Sequence, residues 1–135
     1  MDNEINTFEY ILDQLQQIPF SMHHGFELKR VDEQSIDLTV KLEDYMKNPY
    51  GMPHGGILFL LMDSCSGLLS RTDRRRHVTV DANIHYLTST KTKYLNAHGE
   101  IVRRGKKTCV IDTKVYDQDG VLLAIGTVTM FCIDD

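Results

Sequence analysis

No two cysteines in this chain are spaced as C-x-x-C. The three present, Cys65, Cys109 and Cys132, are an odd and widely separated set, which argues against a disulfide framework, and the N-terminus lacks the charged-then-apolar order of a secretory signal. The expectation is a reduced, cytoplasmic protein. Long apolar runs are also missing: Ile57-Leu58-Phe59-Leu60-Leu61-Met62 falls far short of the roughly 20 residues that cross a bilayer. Positive charge is not in excess, since 15 Lys and Arg stand against 19 Asp and Glu for a net charge of -4 and a pI near 5.8. Nothing global therefore draws the chain to nucleic acid or to an anionic membrane, and neither is expected as a partner. The sequence has no G-x-G-x-x-G, no P-loop and no H-E-x-x-H, and the adjacent His23 and His24 do not share a helical face, so no metal and no separate cofactor are expected. Repeats and low-complexity tracts are absent.

What remains is enough for one globular domain over residues 1–135, 41% hydrophobic and 25% charged. Ile5, Phe8, Ile11, Leu12, Leu15 and Ile18 recur at helical spacing and Pro19 closes the pattern, so residues 1–19 are predicted to form an amphipathic helix packed on the outside. From Ser35 to Leu42 the chain alternates, with Ile36, Leu38, Val40 and Leu42 on one face, as a half-buried strand does. A second alternation sets Val78, Val80, Ala82, Ile84 and Tyr86 against Thr79, Asp81, Asn83 and His85. Strands follow from about Tyr94 to Arg103, Lys107 to Tyr116 and Val121 to Cys132, separated by turns at Arg104-Gly105-Lys106 and Gln118-Asp119-Gly120. The order is helix, strand, long helix, four strands. Without helices between the later strands a doubly wound parallel sheet is excluded, and an antiparallel sheet wrapped around the apolar helix fits. The class is α+β.

The most informative passage is Asn48-Pro49-Tyr50-Gly51-Met52-Pro53-His54-Gly55-Gly56. A turn rich in Gly and Pro leads straight into a helix start, where free backbone N–H groups and a positive dipole end sit beside His54, a place to hold a carbonyl or an anion. The helix that follows reads as apolar on every side and therefore buried all round, which makes Asp63 a buried acid in need of a partner. Ser64 and Ser66 are the structural candidates for that partner.

Asn-x-x-Gly-x-x-His-Gly-Gly, then Leu61 and Asp63, resembles the hot-dog-fold acyl-CoA thioesterases of the PaaI and four-hydroxybenzoyl-CoA thioesterase type. The likeness continues through Val78 to Ile84 and Arg103-Arg104-Gly105-Lys106, and covers about Phe26 to Cys132. One departure is Thr88-Ser89-Thr90, where many relatives carry a proline after the strand. The resemblance implies a hot-dog fold with an extra N-terminal helix, hydrolysis of an acyl-CoA thioester with CoA entering only as part of the substrate, and a homodimer or dimer of dimers with sites at the subunit interface. It assigns catalysis to Asp63, Gly55, Gly56, His54, Asn48 and Thr79. Substrate and CoA contacts go to Asp81, Tyr86, Arg103, Arg104, Gly105, Lys106 and Lys107.

Chemistry argues in the same direction. Thioester hydrolysis needs a donor aimed at the carbonyl oxygen and a base or nucleophile near the carbonyl carbon. Gly55 and Gly56 suit the first task and Asp63 the second, as general base or as direct nucleophile. Asp63 lies seven residues after Gly56, roughly 10 Å along the axis, so one helix cannot bring both to one carbonyl. Two antiparallel helices across a two-fold axis can. His54 either polarises the carbonyl or shapes its turn, Asn48 either touches substrate or holds the turn through its own side chain, and Thr79, facing away from the apolar side of its strand, either holds the attacking water or is an ordinary strand residue. For the CoA phosphates the Arg103 to Lys107 turn is preferred over Arg74-Arg75-Arg76, which reads as solvated surface. Cys65, inside the apolar helix, is an inert thiol rather than a nucleophile. The alternatives for the same fold are a non-catalytic acyl-CoA sensor and a dehydratase, the latter poorly matched by His54 before Gly-Gly.

Overall fold

The computed structural model describes residues 5–135. Three helices, α1 (Thr7–Gln16), α2 (Pro19–His23) and α3 (Gly55–Ser70), accompany six strands: β1 (Glu27–Val31), β2 (Ser35–Lys41), β3 (His77–Tyr86), β4 (Tyr94–Arg104), β5 (Thr108–Asp117) and β6 (Leu122–Cys132). The strands make one antiparallel sheet in the order β1-β2-β4-β5-β6-β3. Helix α3 packs against β2 through β6, the hot-dog arrangement of a sheet wrapped around a long helix. Among the described residues no helix is long and apolar enough to cross a membrane.

The core lies between α3 and the inner face of the sheet. Leu58, Leu61, Met62, Cys65, Leu68 and Leu69 of α3 are buried against Ile36, Leu38, Val40, Leu95, Ile111, Val115 and Val128, and each such aliphatic side chain contributes about 1.5–3 kcal/mol. Gly126 of β6 leaves room for the approach of Met62 and of the Asn83 carbonyl, space that any Cβ would fill. All three cysteines are free and buried, and burial drives the Cys65 thiol well above its ordinary range, in keeping with an inert thiol.

Two elements go beyond the expected order. Asn6 caps α1 by accepting the Glu9 N–H at 2.8 Å, but the helix stops at Gln16, and Pro19 opens the short α2 instead of merely ending α1. Pro suits a first helical turn because its missing N–H would have no partner there. Strand β1 was not anticipated because it is an edge strand of Glu27-Leu28-Lys29-Arg30-Val31, with an irregularity between Leu28 and Arg30 and only Leu28 buried. Its charges blunt the sheet edge and erase the alternation that marks a strand.

Two further expectations are corrected. Helix α3 is not buried all round: Gly56 and Phe59 are exposed, and Gly55, Leu60, Asp63, Ser64 and Gly67 are partly so. These positions fall at spacings of three and four and form one open stripe. The alternation of β3 is also broken. A bulge between Thr79 and Asp81 adds one residue and exchanges the faces of the strand at that point. Before it, His77 and Thr79 point to the helix while Val78 and Val80 stand outside, 44% and 57% exposed. Beyond it, Ala82 and Ile84 pack on the core and Tyr86 reaches α3.

The C-terminal end of α3 is closed by polar contacts. Arg104 of β4 donates to the Ser70 carbonyl at 3.0 Å and the Leu69 carbonyl at 3.3 Å, and pairs with Asp73 at 3.1 Å. A cation there satisfies carbonyls that have no partner within the helix. Asp73 also receives His77 Nε2 at 3.0 Å and Arg75 Nε at 3.0 Å. Burial opposes its charge, but bonds from His77 and from the Arg75 backbone and guanidinium hold its carboxyl below the usual range. In the loop that holds Thr88-Ser89-Thr90, Thr90 is buried and donates to Asp117 at 2.8 Å. Asp117 also accepts the Asp119 and Val121 N–H groups, each at 2.9 Å, so a hydrogen-bonded hub fixes the loop.

Candidate active site

The turn before α3 is built by Asn48. Its Oδ1 accepts the Tyr50 N–H at 2.9 Å and the Met52 N–H at 3.1 Å, while Gly51 adopts φ 79°, a region that costs other residues but not glycine. The Asn48 side chain thus organises its own loop, the structural alternative weighed above. The His54 N–H bonds the Met46 carbonyl at 2.8 Å, which docks the turn on the short helical segment Asp44–Met46.

At the helix start the two glycines differ. His54 is the N-cap, and its Nδ1 accepts the Gly56 N–H at 2.9 Å. An accepting Nδ1 places the neutral ring's proton on Nε2. The Gly55 N–H has no hydrogen-bond partner among the described residues, so it is the open donor at the positive end of α3. Tyr86 donates to the Gly55 carbonyl at 2.7 Å and lies where a Cβ on Gly55 would meet its ring at 3.2 Å. Burial raises the Tyr86 hydroxyl above its ordinary value, which keeps it a donor.

Two turns further along the open stripe, Asp63 Oδ1 accepts the Thr79 hydroxyl at 2.8 Å. The bulge in β3 makes this contact. Unbroken alternation would send Thr79 outward, as the sequence suggested. Asp63 is partly exposed rather than buried, and its partner is Thr79, while Ser66 is turned to the Met62 carbonyl at 3.0 Å. With Oδ1 held, Oδ2 has no hydrogen-bond partner among the described residues.

Asp63 opens on two hollows. One, of about 590 Å³, is lined by His54, Gly56, Ile57, Phe59, Tyr86 and others, including Phe20, His24 and Tyr45. The second, about 340 Å³, runs the other way along α3 past Ser64, Gly67 and Arg71, with His77, Val78 and Thr79 on its far side. Phe20 and Leu60 border both. Phe20, His24 and Tyr45 were not anticipated. His24 stacks on Tyr45 with ring centroids 5.8 Å apart and its Nδ1 lies 3.1 Å from the Tyr45 hydroxyl. Burial, and then the neighbouring His23, hold the His24 imidazole below its ordinary value. No local pattern ties residues 20, 24 and 45 to residue 63. Only the tertiary fold joins them, by bringing α2 and the segment Asp44–Met46 to the rim of the hollow that α3 lines.

The remaining candidates are dispersed. Asp81, just past the bulge, is exposed and lines neither hollow. Arg104 is turned inward to the end of α3, and Lys107 Nζ bonds the Asp134 carbonyl at 2.5 Å. Arg103 and Lys106 stay exposed around Gly105. Arg74-Arg75-Arg76 are not merely solvated: Arg74 lies 4.2 Å over the Tyr10 ring, Arg75 donates to the Lys106 carbonyl at 3.3 Å, and Arg76 pairs with Asp134 at 2.7 Å.

Comparison with known proteins places the fold in a family. Residues 50–124 match the family described as the thioesterase superfamily, and the chain belongs to it; it is a thioester hydrolase. It is similar to a hypothetical thioesterase from Streptococcus pneumoniae TIGR4, solved with coenzyme A, at 33% identity over 82% of this chain and 88% of that one, with a TM-score of 0.77. The fold is shared more extensively with the E. coli PaaI protein, at a TM-score of 0.90 and 20% identity over 95% and 94% of the two chains. A 1,4-dihydroxy-2-naphthoyl-CoA hydrolase from Listeria monocytogenes is 23% identical over 78% of this chain and 89% of its own.

Proposed function

We propose that the protein hydrolyses acyl-CoA thioesters, with Asp63 and Thr79 of one chain facing the Gly55 N–H of a second. The observation that carries this is the pairing of Asp63 with Thr79 in an open hollow, beside a helix start that keeps one N–H unfilled. Thr79 holds Oδ1 so that Oδ2 of Asp63 takes a proton from water as it attacks the carbonyl carbon. Alternatively Oδ2 attacks directly, giving an anhydride that water then cleaves. In both cases the carbonyl oxygen gains negative charge, accepted by the Gly55 N–H, and the C–S bond breaks to release CoA as thiolate. A preorganised donor of this kind lowers the barrier by about 2.7–4 kcal/mol. The Gly56 N–H is held by His54 and serves geometry rather than the substrate.

Gly55 and Asp63 are eight residues apart, about 12 Å along the axis, so a two-fold partner must supply one of them. The open stripe of α3 and the exposed β3 edge, with Val78 and Val80, offer the surface for such a homodimer. The S. pneumoniae relative has been studied as an aspartate-to-alanine and a threonine-to-alanine variant at positions with the same sixteen-residue separation as Asp63 and Thr79, which supports the choice of this pair. Arg103, Lys106 and Tyr86 are assigned to substrate contacts. Location in the cytoplasm and a single domain over residues 1–135 complete the proposal.

CoA release, read by thiol detection over a panel of aromatic and aliphatic acyl-CoAs, tests this reading beside Asp63→Asn. Turnover lost in a folded variant is the expected result. Saturable binding with no turnover on any substrate would replace it with the sensor reading.

A further inference from the structure

Strand β3 reaches α3 at two places, one on each side of its bulge. Before the bulge Thr79 holds Asp63. Beyond it Tyr86, the last residue of the strand, donates to the Gly55 carbonyl at 2.7 Å, and its ring packs so close that a Cβ on Gly55 would stand 3.2 Å away. The acid and the helix start of one chain are thus held by the same strand.

The Gly55 carbonyl shares its peptide group with the Gly56 N–H, which donates to His54 Nδ1 at 2.9 Å. One amide is therefore bonded to a side chain at each end, Tyr86 at its oxygen and His54 at its nitrogen. It lies between two glycines, whose backbone is the least restrained of any residue, and in the first turn, where helices fray. Pinning both ends fixes its plane. Hydrogen bonds in series also strengthen one another, so a hydroxyl donating to the C=O makes the N–H of the same amide a better donor.

The histidine ring feels this directly. With Nδ1 engaged as an acceptor, the proton of the neutral ring sits on Nε2. That nitrogen has no hydrogen-bond partner among the described residues, and His54 lines the 590 Å³ hollow together with Tyr86 and Asp63.

We propose that Tyr86 is a positioning residue: acting through the Gly55–Gly56 amide, it locks His54 in the tautomer that carries its proton on Nε2, and so aims a second donor into the hollow beside the Gly55 N–H. This rests on the acyl-CoA reading above and adds a residue that governs a carbonyl donor through its hydroxyl, while its ring stays in the wall of the hollow. His54 donates a hydrogen bond to the thioester oxygen as charge develops there and keeps its proton throughout.

The experiment compares wild type with Tyr86→Phe, His54→Asn and the double variant. Asparagine keeps an N-cap at the helix start without a ring, and melting temperature is the folding check. Turnover is measured on whichever acyl-CoA of the panel is cleaved fastest. Tyr86→Phe removes one oxygen atom and is expected to lower kcat about tenfold, with KM within about twofold of wild type. In the His54→Asn background the same change should cost less than about twofold, because residues that act through one another are not additive.

A second readout needs no substrate: the nitrogen-15 shifts of the His54 ring at about pH 8.5, where imidazoles are neutral, with the His54 signals identified by their loss in His54→Asn. Wild type should show an unprotonated Nδ1 and a protonated Nε2, and Tyr86→Phe should move both toward the average of the two tautomers. An unchanged tautomer in Tyr86→Phe would overturn the proposal. An equal kcat loss in both backgrounds would do the same, as would a change confined to KM, the mark of a plain substrate contact. A shifted tautomer in a protein that cleaves no acyl-CoA would keep the Tyr86 lock and remove the hydrolytic reading.

Discussion

The two ends of α3 are opposites. At the C-terminal end the carbonyls of Leu69 and Ser70 are filled by Arg104, whose charge is balanced by Asp73, itself bound by His77 and Arg75. At the N-terminal end one N–H is capped by His54, the next is unfilled, and the nearest aromatic hydroxyl bonds a carbonyl of the same turn. A helix end whose polar groups are all paired has nothing left to offer a ligand. The end left unsatisfied at a hollow is where binding energy remains available, which is why the reaction is assigned there and stability to the other end.

Substitutions can separate the two roles. The largest effect is expected from Asp63→Asn, which keeps the contact with Thr79 but removes the proton acceptor: kcat should fall about 10²–10⁴-fold with an unchanged urea midpoint, both measured on the same preparation. Arg104→Met should show the inverse pattern. With carbonyls of α3 uncapped and Asp73 short of a partner, unfolding free energy should drop by about 2–3 kcal/mol, while kcat of the folded fraction stays near wild type. Gly55→Ala sharpens the contrast at the reactive end, because its methyl meets the Tyr86 ring at 3.2 Å and displaces the free donor. A kcat loss of about 10- to 100-fold with a melting temperature close to wild type is expected, and an unchanged kcat would move the carbonyl donor elsewhere.

The smallest effect is a pH dependence of stability. The carboxyl of Asp73 titrates below its ordinary value of 3.8 in the folded chain. The unfolded state therefore takes up the proton first, so Asp73 adds stability above the unfolded value and that contribution is lost as pH falls through the folded one. Asp73→Asn should flatten the acid limb of a plot of urea midpoint against pH and leave the pH profile of kcat where it was.

Much of this molecule was legible in its residues. Local spacing suffices for β2, β4, β5 and β6, for the core-facing side of α3, and for the Gly-Pro turn that leads into it, though not for the capping role of His54. It fails where a residue's surroundings come from distant segments. The β1 strand hides its nature behind the charges of Glu27, Lys29 and Arg30, which an edge needs. The open stripe of α3 is as apolar as the buried side at Phe59 and Leu60, so composition cannot separate a face left for a ligand or a second chain from one covered by sheet. Arg104 was grouped with its exposed neighbours because nothing near residue 104 announces the helix end at residue 70. Of the site, Asp63 and the helix start were visible, the partner Thr79 was visible only through the resemblance, and Phe20, His24 and Tyr45 were not visible at all.

The bulge in β3 makes the chemistry of the site a matter of parity. One supernumerary residue, Val80, lets Thr79 confront the acid while Ala82 and Ile84, on the other side of the bulge, keep their place on the core. Deleting Val80 would close the bulge and leave Thr79 opposite Met130 and Asp81 opposite Thr129, with Thr79 still facing Asp63. A straight strand of full length would instead present Val78 and Val80 to the helix and turn Thr79 away, so the aim of the threonine depends on one residue being looped out rather than on which residue it is.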